Sequence, residues 1–302
     1  MIRLTALLLA AAPALAQQAE VQTVPDFGDF LVVDGKTVWM TNRGRVEQWS
    51  RSGRQASVAL PGPCGAMAIK GKYLWVADCK LGALHRIDTR TATLVQTVET
   101  GIADKSGELN VVFGGGSIWV ASDAKGEVAR VNPKTGAITA RIAVDPGTSY
   151  LAFGEGALWA VSAPKQSVQR IDPAKGAVTA RAALGKQPGF LAAGAGGVWV
   201  QEQGDGTLVK VDPKAVTVAG RVKVGANLKW GDIDTGASKV WLRTTDDQEY
   251  VVIDAKTQAI IARVGPEVKS GALRWTRAGV WTSAHDVHTL KYWPAPALGA
   301  KN

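Results

Sequence analysis

The chain has 302 residues, 46% of them hydrophobic and 20% charged, with 34 Gly, 13 Pro and a formal net charge of +9 at pH 7. That is ample material for a buried core, and beyond the first residues no stretch approaches the roughly 18 apolar residues of a membrane helix. The Lys and Arg residues are scattered rather than gathered into a run, which argues against a nucleic-acid footprint.

At the N-terminus, Met1-Ile2-Arg3 is a short positive segment, residues 4–12 are apolar, and Ala14-Leu15-Ala16 is a small-residue cleavage site. This pattern predicts a secretory signal peptide over residues 1–16 and an exported domain over 17–302, periplasmic or secreted. Loss of Arg3 takes the charge from +9 to +8, and the absence of a Cys after the site argues against a bacterial lipid anchor. Residues 20–24 (EVQTV) resemble residues 94–98 (LVQTV), an outer strand of a later unit. The last unit ends near Trp293-Pro294 after only three strand patterns, so residues 20–24 are expected to supply its fourth strand and close a ring.

A Trp preceded by an aliphatic residue recurs at 39, 75, 119, 159, 199, 241 and 281, with spacings of 36, 44, 40, 40, 42 and 40. Repeats of about 40 residues mark an array in which no unit buries its own apolar faces. Around Trp119 the strand patterns are 109–113, 117–122, 127–131 and 137–144, separated by Gly114-Gly115-Gly116, a polar loop, and Asn132-Pro133-Lys134-Thr135-Gly136. The third turn recurs as Asp172-Pro173 and Asp212-Pro213, where Asp bonds its own backbone and Pro fixes φ. Four antiparallel strands in each of seven units make an all-β, seven-bladed β-propeller in one domain, with monomer the expected state.

Eight residues before each Trp stand Leu31, Met67, Val111, Leu151, Leu191, Ile233 and Leu273, an apolar stripe expected to face a neighbouring blade. Seven before stand Val32, Ala68, Val112, Ala152, Ala192, Asp234 and Arg274, which predicts an Asp234–Arg274 ion pair between adjacent blades near the axis. If Gly71-Lys72 forms a two-residue turn, Cys64 faces Cys79 six steps out, and in an exported chain that register predicts a disulfide.

In an up-and-down blade, the loop between strands two and three shares a face with the link to the next blade. Those links carry Glu108, Asn110, Tyr150, Phe190, Lys229, Trp230 and Asp232, which with Arg274 are the candidate ligand-binding residues for a small molecule, peptide or protein partner. The adjacent loops of the last two units carry Asp246, Asp247, His285, Asp286 and His288. Three carboxylates (Asp246, Asp247 and Asp286) and two imidazoles could bind a divalent metal such as magnesium, or serve as acid and base. The plainer reading is an ordinary solvated loop, because loops carry polar residues whatever they do. His85 falls on an outer strand and reads as structural.

The lines Leu74-Trp75-Val76-Ala77-Asp78, Ile118-Trp119-Val120-Ala121-Ser122 and Val198-Trp199-Val200-Gln201-Glu202, with the V-x-R-[IV]-[DN] segments after them, resemble the exported YVTN-type (40-residue repeat) propellers over nearly the whole mature chain. The chain is also similar to virginiamycin B (streptogramin B) lyases, seven-bladed propellers that open a cyclic depsipeptide by magnesium-assisted elimination using His and Glu. That resemblance implies His285, His288 and Glu202 as the residues to compare with the catalytic His and Glu. The lyases repeat a Trp-Phe-Thr-Glu line, of which Trp199–Glu202 keeps the Glu and none keeps the Phe. The reading favours a binding propeller with a top-face site, and the lyase is the alternative.

Overall fold

Alternate residues of an extended chain face opposite sides of a sheet, so the period-two stripes become strands whose two faces are each covered by a neighbour. The computed structural model describes residues 18–102, 108–122, 125–228, 231–244 and 248–295. Seven four-stranded antiparallel sheets form a ring. Blade 1 runs Leu31–Asp34, Thr37–Asn42, Arg45–Ser50 and Gly53–Ala59 from the axis outward, and blades 2 to 6 repeat it from Pro63, Val111, Thr148, Pro188 and Ile233. Blade 7 takes Leu273–Thr276, Gly279–Ala284 and Thr289–Pro294 from the end of the chain and Glu20–Thr23 from the beginning.

The closing strand pairs Glu20 with Tyr292 and Thr23 with Thr289, and the Val24 N–H continues the ladder to the His288 carbonyl at 2.8 Å. It also grips blade 1. Gln22 Nε2 donates to the Ser50 carbonyl at 2.8 Å, and Arg51 pairs with Glu20 while lying 4.6 Å over the Tyr292 ring.

The apolar core is divided among the seven blade interfaces. Trp39, Val46 and Leu60 of blade 1 meet Met67, Leu74 and Val76 of blade 2, and the same layer recurs around the ring to Leu290 and Trp281 against Leu31 and Met40. All seven marker tryptophans are buried. The indole N–H of Trp119, Trp159, Trp199 and Trp241 donates to the glycine carbonyl five residues earlier, at 2.9–3.1 Å, tying the first hairpin of the blade to its packing face. Burial of a ring this large at each interface is why Trp recurs; in these four blades the N–H is satisfied as well, whereas Trp75 Nε1 is buried without a partner among the described residues.

Cys64 and Cys79 form a disulfide with Cα atoms 5.9 Å apart. The register differs from simple counting. Lys70 pairs with Tyr73 and Ala68 with Trp75, but an irregularity between Ala68 and Cys64 sets Cys64 opposite Ala77. Gly65, at φ +70°, is part of this irregularity, and a Cβ there would stand 2.1 Å from the Leu109 carbonyl oxygen.

The expected Asp234–Arg274 pair is replaced by Asp232–Arg274. Asp234 spends its oxygens on backbone N–H groups, those of Thr235 at 2.8 Å and Trp275 at 2.9 Å. Asp232 lies on the same side of its strand two residues earlier, and the guanidinium reaches it along the axis. Two three-residue 3-10 turns, Gln203–Asp205 and His285–Val287, are the helical elements among the described residues, and no helix there is long and apolar enough to cross a membrane. The predicted signal peptide lies outside the described residues.

Candidate functional site

The upper face is built on a repeated polar device. The last residue of a second strand reaches back to the link preceding its own blade. Asn42 accepts from Phe27 N at 2.8 Å, Asp78 from Gly62 N at 2.9 Å and Glu202 from Gly185 N at 2.7 Å, while the Ser162 hydroxyl donates to the Pro146 carbonyl. Outer-strand arginines reach the same links or their caps: Arg141 to the Thr100 carbonyl, Arg181 to Asp145, Arg221 to Glu202 and Arg263 to the Val224 carbonyl. Part of the scattered positive charge therefore staples links to blades.

Glu202 belongs to this device. Its buried carboxylate takes Thr207 Oγ1 at 2.6 Å and Arg221 Nε at 3.0 Å in addition to Gly185 N. Burial alone would raise its pKa, but these donors outweigh it and hold the carboxyl below the ordinary glutamate value. His85 is held likewise, between Asp78 Oδ2 at 3.1 Å and Thr97 Oγ1 at 3.0 Å.

The two rim histidines engage separate partners. His285 stacks on Phe27 with ring centroids 4.0 Å apart, and its Nδ1 lies 3.1 Å from Asp286 Oδ1. Burial holds this imidazole below the ordinary histidine value, with Asp286 pulling the other way. His288 sits in the left-handed region at φ +54° after the 3-10 turn and has Nδ1 2.7 Å from the Asp26 carbonyl. Glu202 lies two blades away, on blade 5. Asp246 and Asp247 lie outside the described residues, and among the described residues no group of three His, Cys, Asp or Glu could hold a metal ion.

The mouth of the central channel is where the other candidates meet. A cavity of 280 Å³ is lined by Phe27, Asp29, Phe30, Arg43, Cys64 and Glu108, among others. A smaller one beneath it shares Asp29, Phe30 and Glu108 and adds Phe190, Asp232 and Gly271. Phe190 and Asp232 also line the channel itself, a 320 Å³ space with Asn110, Asp234 and Arg274 in its wall. Tyr150 packs on Phe190 at 4.5 Å. Six of the eight predicted ligand-binding residues thus line this system or pack on its wall, and Lys229 and Trp230 lie outside the described residues.

Electrostatics distinguish the carboxylates. Asp232 is satisfied by Arg274, by Ile233 N at 2.8 Å and by Leu273 N at 3.3 Å. Among the described residues no donor hydrogen-bonds the side-chain carboxyl of Asp29 or Glu108, although the Asp29 backbone carbonyl accepts from Ser283 Oγ at 2.6 Å. Burial, then the charges of Glu108, Asp232 and Asp286, push Asp29 well above the ordinary aspartate value, with Arg243 opposing. Glu108 keeps an exposed edge at the lip, yet loss of solvent in the concave mouth and the charge of Asp232 push it up to about 7. Arg243 is fully buried and bonds the carbonyls of Thr244, Glu249, Lys269 and Ser283, so it acts as a buried positive charge joining blades 6 and 7.

Sequence reasoning missed Asp29, Phe30 and Arg243. Residues 25–30 follow the closing strand, and ring closure makes them the link between blades 7 and 1. Reading that segment as a link would have placed Asp29 beside Glu108 and Asp232. Arg243 gives no such signal, since its position in other blades holds Thr41, Ala77, Ala121, Val161, Gln201 and Ser283.

Residues 116–206 match a repeat of unknown function (DUF6923). None of the curated proteins matches the chain in sequence. A streptogramin B lyase structure is similar in fold, with a TM-score of 0.78 and 14% sequence identity, covering 92% of this chain and 97% of the lyase. At that identity the likeness defines the class of molecule, a seven-bladed β-propeller.

Proposed function

We propose that this chain is an exported binding propeller whose ligand, a small molecule or a segment of a peptide or protein, enters the top-face mouth of the central channel. The observation that carries this reading is the mouth itself. Side chains from six links or inner strands converge on adjoining cavities with aromatic walls, and the carboxyls of Asp29 and Glu108 accept no hydrogen bond among the described residues. Export is supported by the signal-like N-terminus together with the Cys64–Cys79 disulfide. The 40-residue repeat supports kinship with exported YVTN-type propellers.

The second reading, a lyase of the streptogramin B type, is favoured by the fold likeness and by His285 on the rim of the same mouth. It is weakened by the employment of Glu202 in the Arg221 cap. One experiment separates the two. The melting temperature is measured against a panel of small amines, acids, sugars and peptides for the wild type and for Phe27→Ala, and streptogramin B is incubated with protein and magnesium while ring opening is followed by mass spectrometry. Binding predicts a stabilising ligand whose effect disappears in Phe27→Ala, with the depsipeptide intact. Turnover that disappears in His285→Ala establishes the lyase instead.

A further inference from the structure

Resting on the top-face reading, we infer that the mouth is a receptor for an organic cation, an ammonium or guanidinium head inserted between Asp29 and Glu108 and against the rings of Phe27, Phe30 and Phe190. The first argument is charge. The chain is positive overall, yet Asp29, Glu108, Asp232 and Asp286 surround the mouth closely enough for Asp29 to feel the charge of the other three. Among the described residues, the arginines on the same side are already committed or stand apart. Arg274 is paired with Asp232, and Arg243 is enclosed by four carbonyls. Arg43 lines the outer cavity but forms no ion pair with Asp29 or Glu108. The carboxyls of Asp29 and Glu108, which line both cavities, are thus left as acceptors without donors among the described residues.

The second argument is independent of charge. The walls between these carboxyls are aromatic. Phe30 lines both cavities, Phe27 the outer one and Phe190 the inner one, and Phe190 is backed by Tyr150. Aromatic faces attract cations through the ring quadrupole and repel anions, so carboxylate and ring select the same class of ligand. A metal ion prefers a shell of oxygen atoms, and the described residues hold no group of three ligands for one. An opening of 280 Å³ admits a side chain or a small amine and excludes a folded domain.

The test is calorimetric titration of the whole oxidised protein at low salt and mildly alkaline pH. The probes are arginine amide and citrulline amide, both acetylated on the α-amine so that the second is the uncharged isostere of the first, with agmatine and the tripeptide Gly-Arg-Gly. The inference expects the guanidinium probes to bind and citrulline amide to bind at least roughly tenfold more weakly, as follows from removing a charge-assisted hydrogen bond. Glu108→Gln and Asp29→Asn should each weaken arginine amide by a similar factor. Glu108 is at the lip, so its variant keeps the test valid if Asp29→Asn folds poorly. Tighter agmatine than Gly-Arg-Gly identifies a free amine as the ligand, and the reverse order a basic peptide side chain. Equal binding of citrulline amide, cation binding indifferent to both carboxyl variants, or no cation binding at millimolar concentration overturns the inference. A neutral or anionic ligand whose binding is lost in Phe27→Ala sinks the cation receptor and leaves the top-face site standing. Ligands indifferent to every mouth variant sink both.

Discussion

Glu202 and Glu108 are glutamates on the same face of the propeller with opposite surroundings. Glu202 is met by an arginine, a hydroxyl and a backbone N–H, all within 3.0 Å, and Glu108 by no donor among the described residues. Truncating Glu202 leaves Gly185 N and Arg221 unpaired beside a buried gap. Arg221 is 46% exposed and stays solvated, so Glu202→Ala is expected to cost about 1–3 kcal/mol, the range for leaving a buried hydrogen-bonding group unsatisfied, read as a lower urea midpoint. Unchanged stability with lost activity would return Glu202 to the catalytic list. Sequence could find both residues but could not rank them. The cap role of Glu202 is visible only when it is set beside Asn42, Asp78 and Ser162, residues of different chemistry that share a position rather than a type. The same holds for the axial ion pair, where the charges were legible and the choice of Asp232 over Asp234 depended on which carboxylate the backbone N–H groups of Thr235 and Trp275 consume.

At the scale of elements, the closing strand and the disulfide hairpin were both readable, because each rests on a local pattern: the EVQTV echo in one case and hairpin counting in the other. The irregularity at residues 64–68 was not readable, since it arises from the approach of Gly65 to the Leu109 carbonyl of the next link. Removing residues 19–24 uncovers the edge of Thr289–Pro294, takes the buried Val24 side chain out of the core, and abolishes the Gln22–Ser50 and Glu20–Arg51 bonds across the seam with blade 1. The deletion is expected to remove a large part of the roughly 5–15 kcal/mol typical of a folded domain, and thermal melting checks it. An unchanged melting temperature would mean that the ring closes without this strand. Cys64→Ala/Cys79→Ala opens a loop with a sequence separation of 15 and is expected to cost up to about 3 kcal/mol. Because Cys64 lines the outer cavity, ligand affinity should fall along with stability.

For the whole molecule, the repeat fixed the ring, and the ring brings distant links to one mouth. Glu108, Asn110, Phe190 and Asp232 could be chosen from sequence because all links of a propeller end on one face. Asp29 escaped because the segment that carries it becomes a link only after the ring closes. The central claim is that Asp29 and Glu108 are kept for a ligand at some expense to the fold, as binding sites commonly are. Their carboxyls sit above their ordinary pKa values in the folded chain, Glu108 at about 7. The folded state thus holds protons that the unfolded state releases, and the stability they contribute is complete below the ordinary carboxylate range and is lost as pH rises through about 7. The most direct measurement is the melting temperature of the wild type and of Asp29→Asn/Glu108→Gln from acid to mildly alkaline pH, without ligand. The two should lie close together in acid and diverge as the carboxyls ionise, until at about pH 8 the variant melts higher by roughly 1–2 °C, the Glu108 contribution being screened by solvent at the exposed lip. A variant that melts lower than the wild type at that pH would show that these carboxylates hold the propeller together, and the mouth would lose its claim to be a binding site.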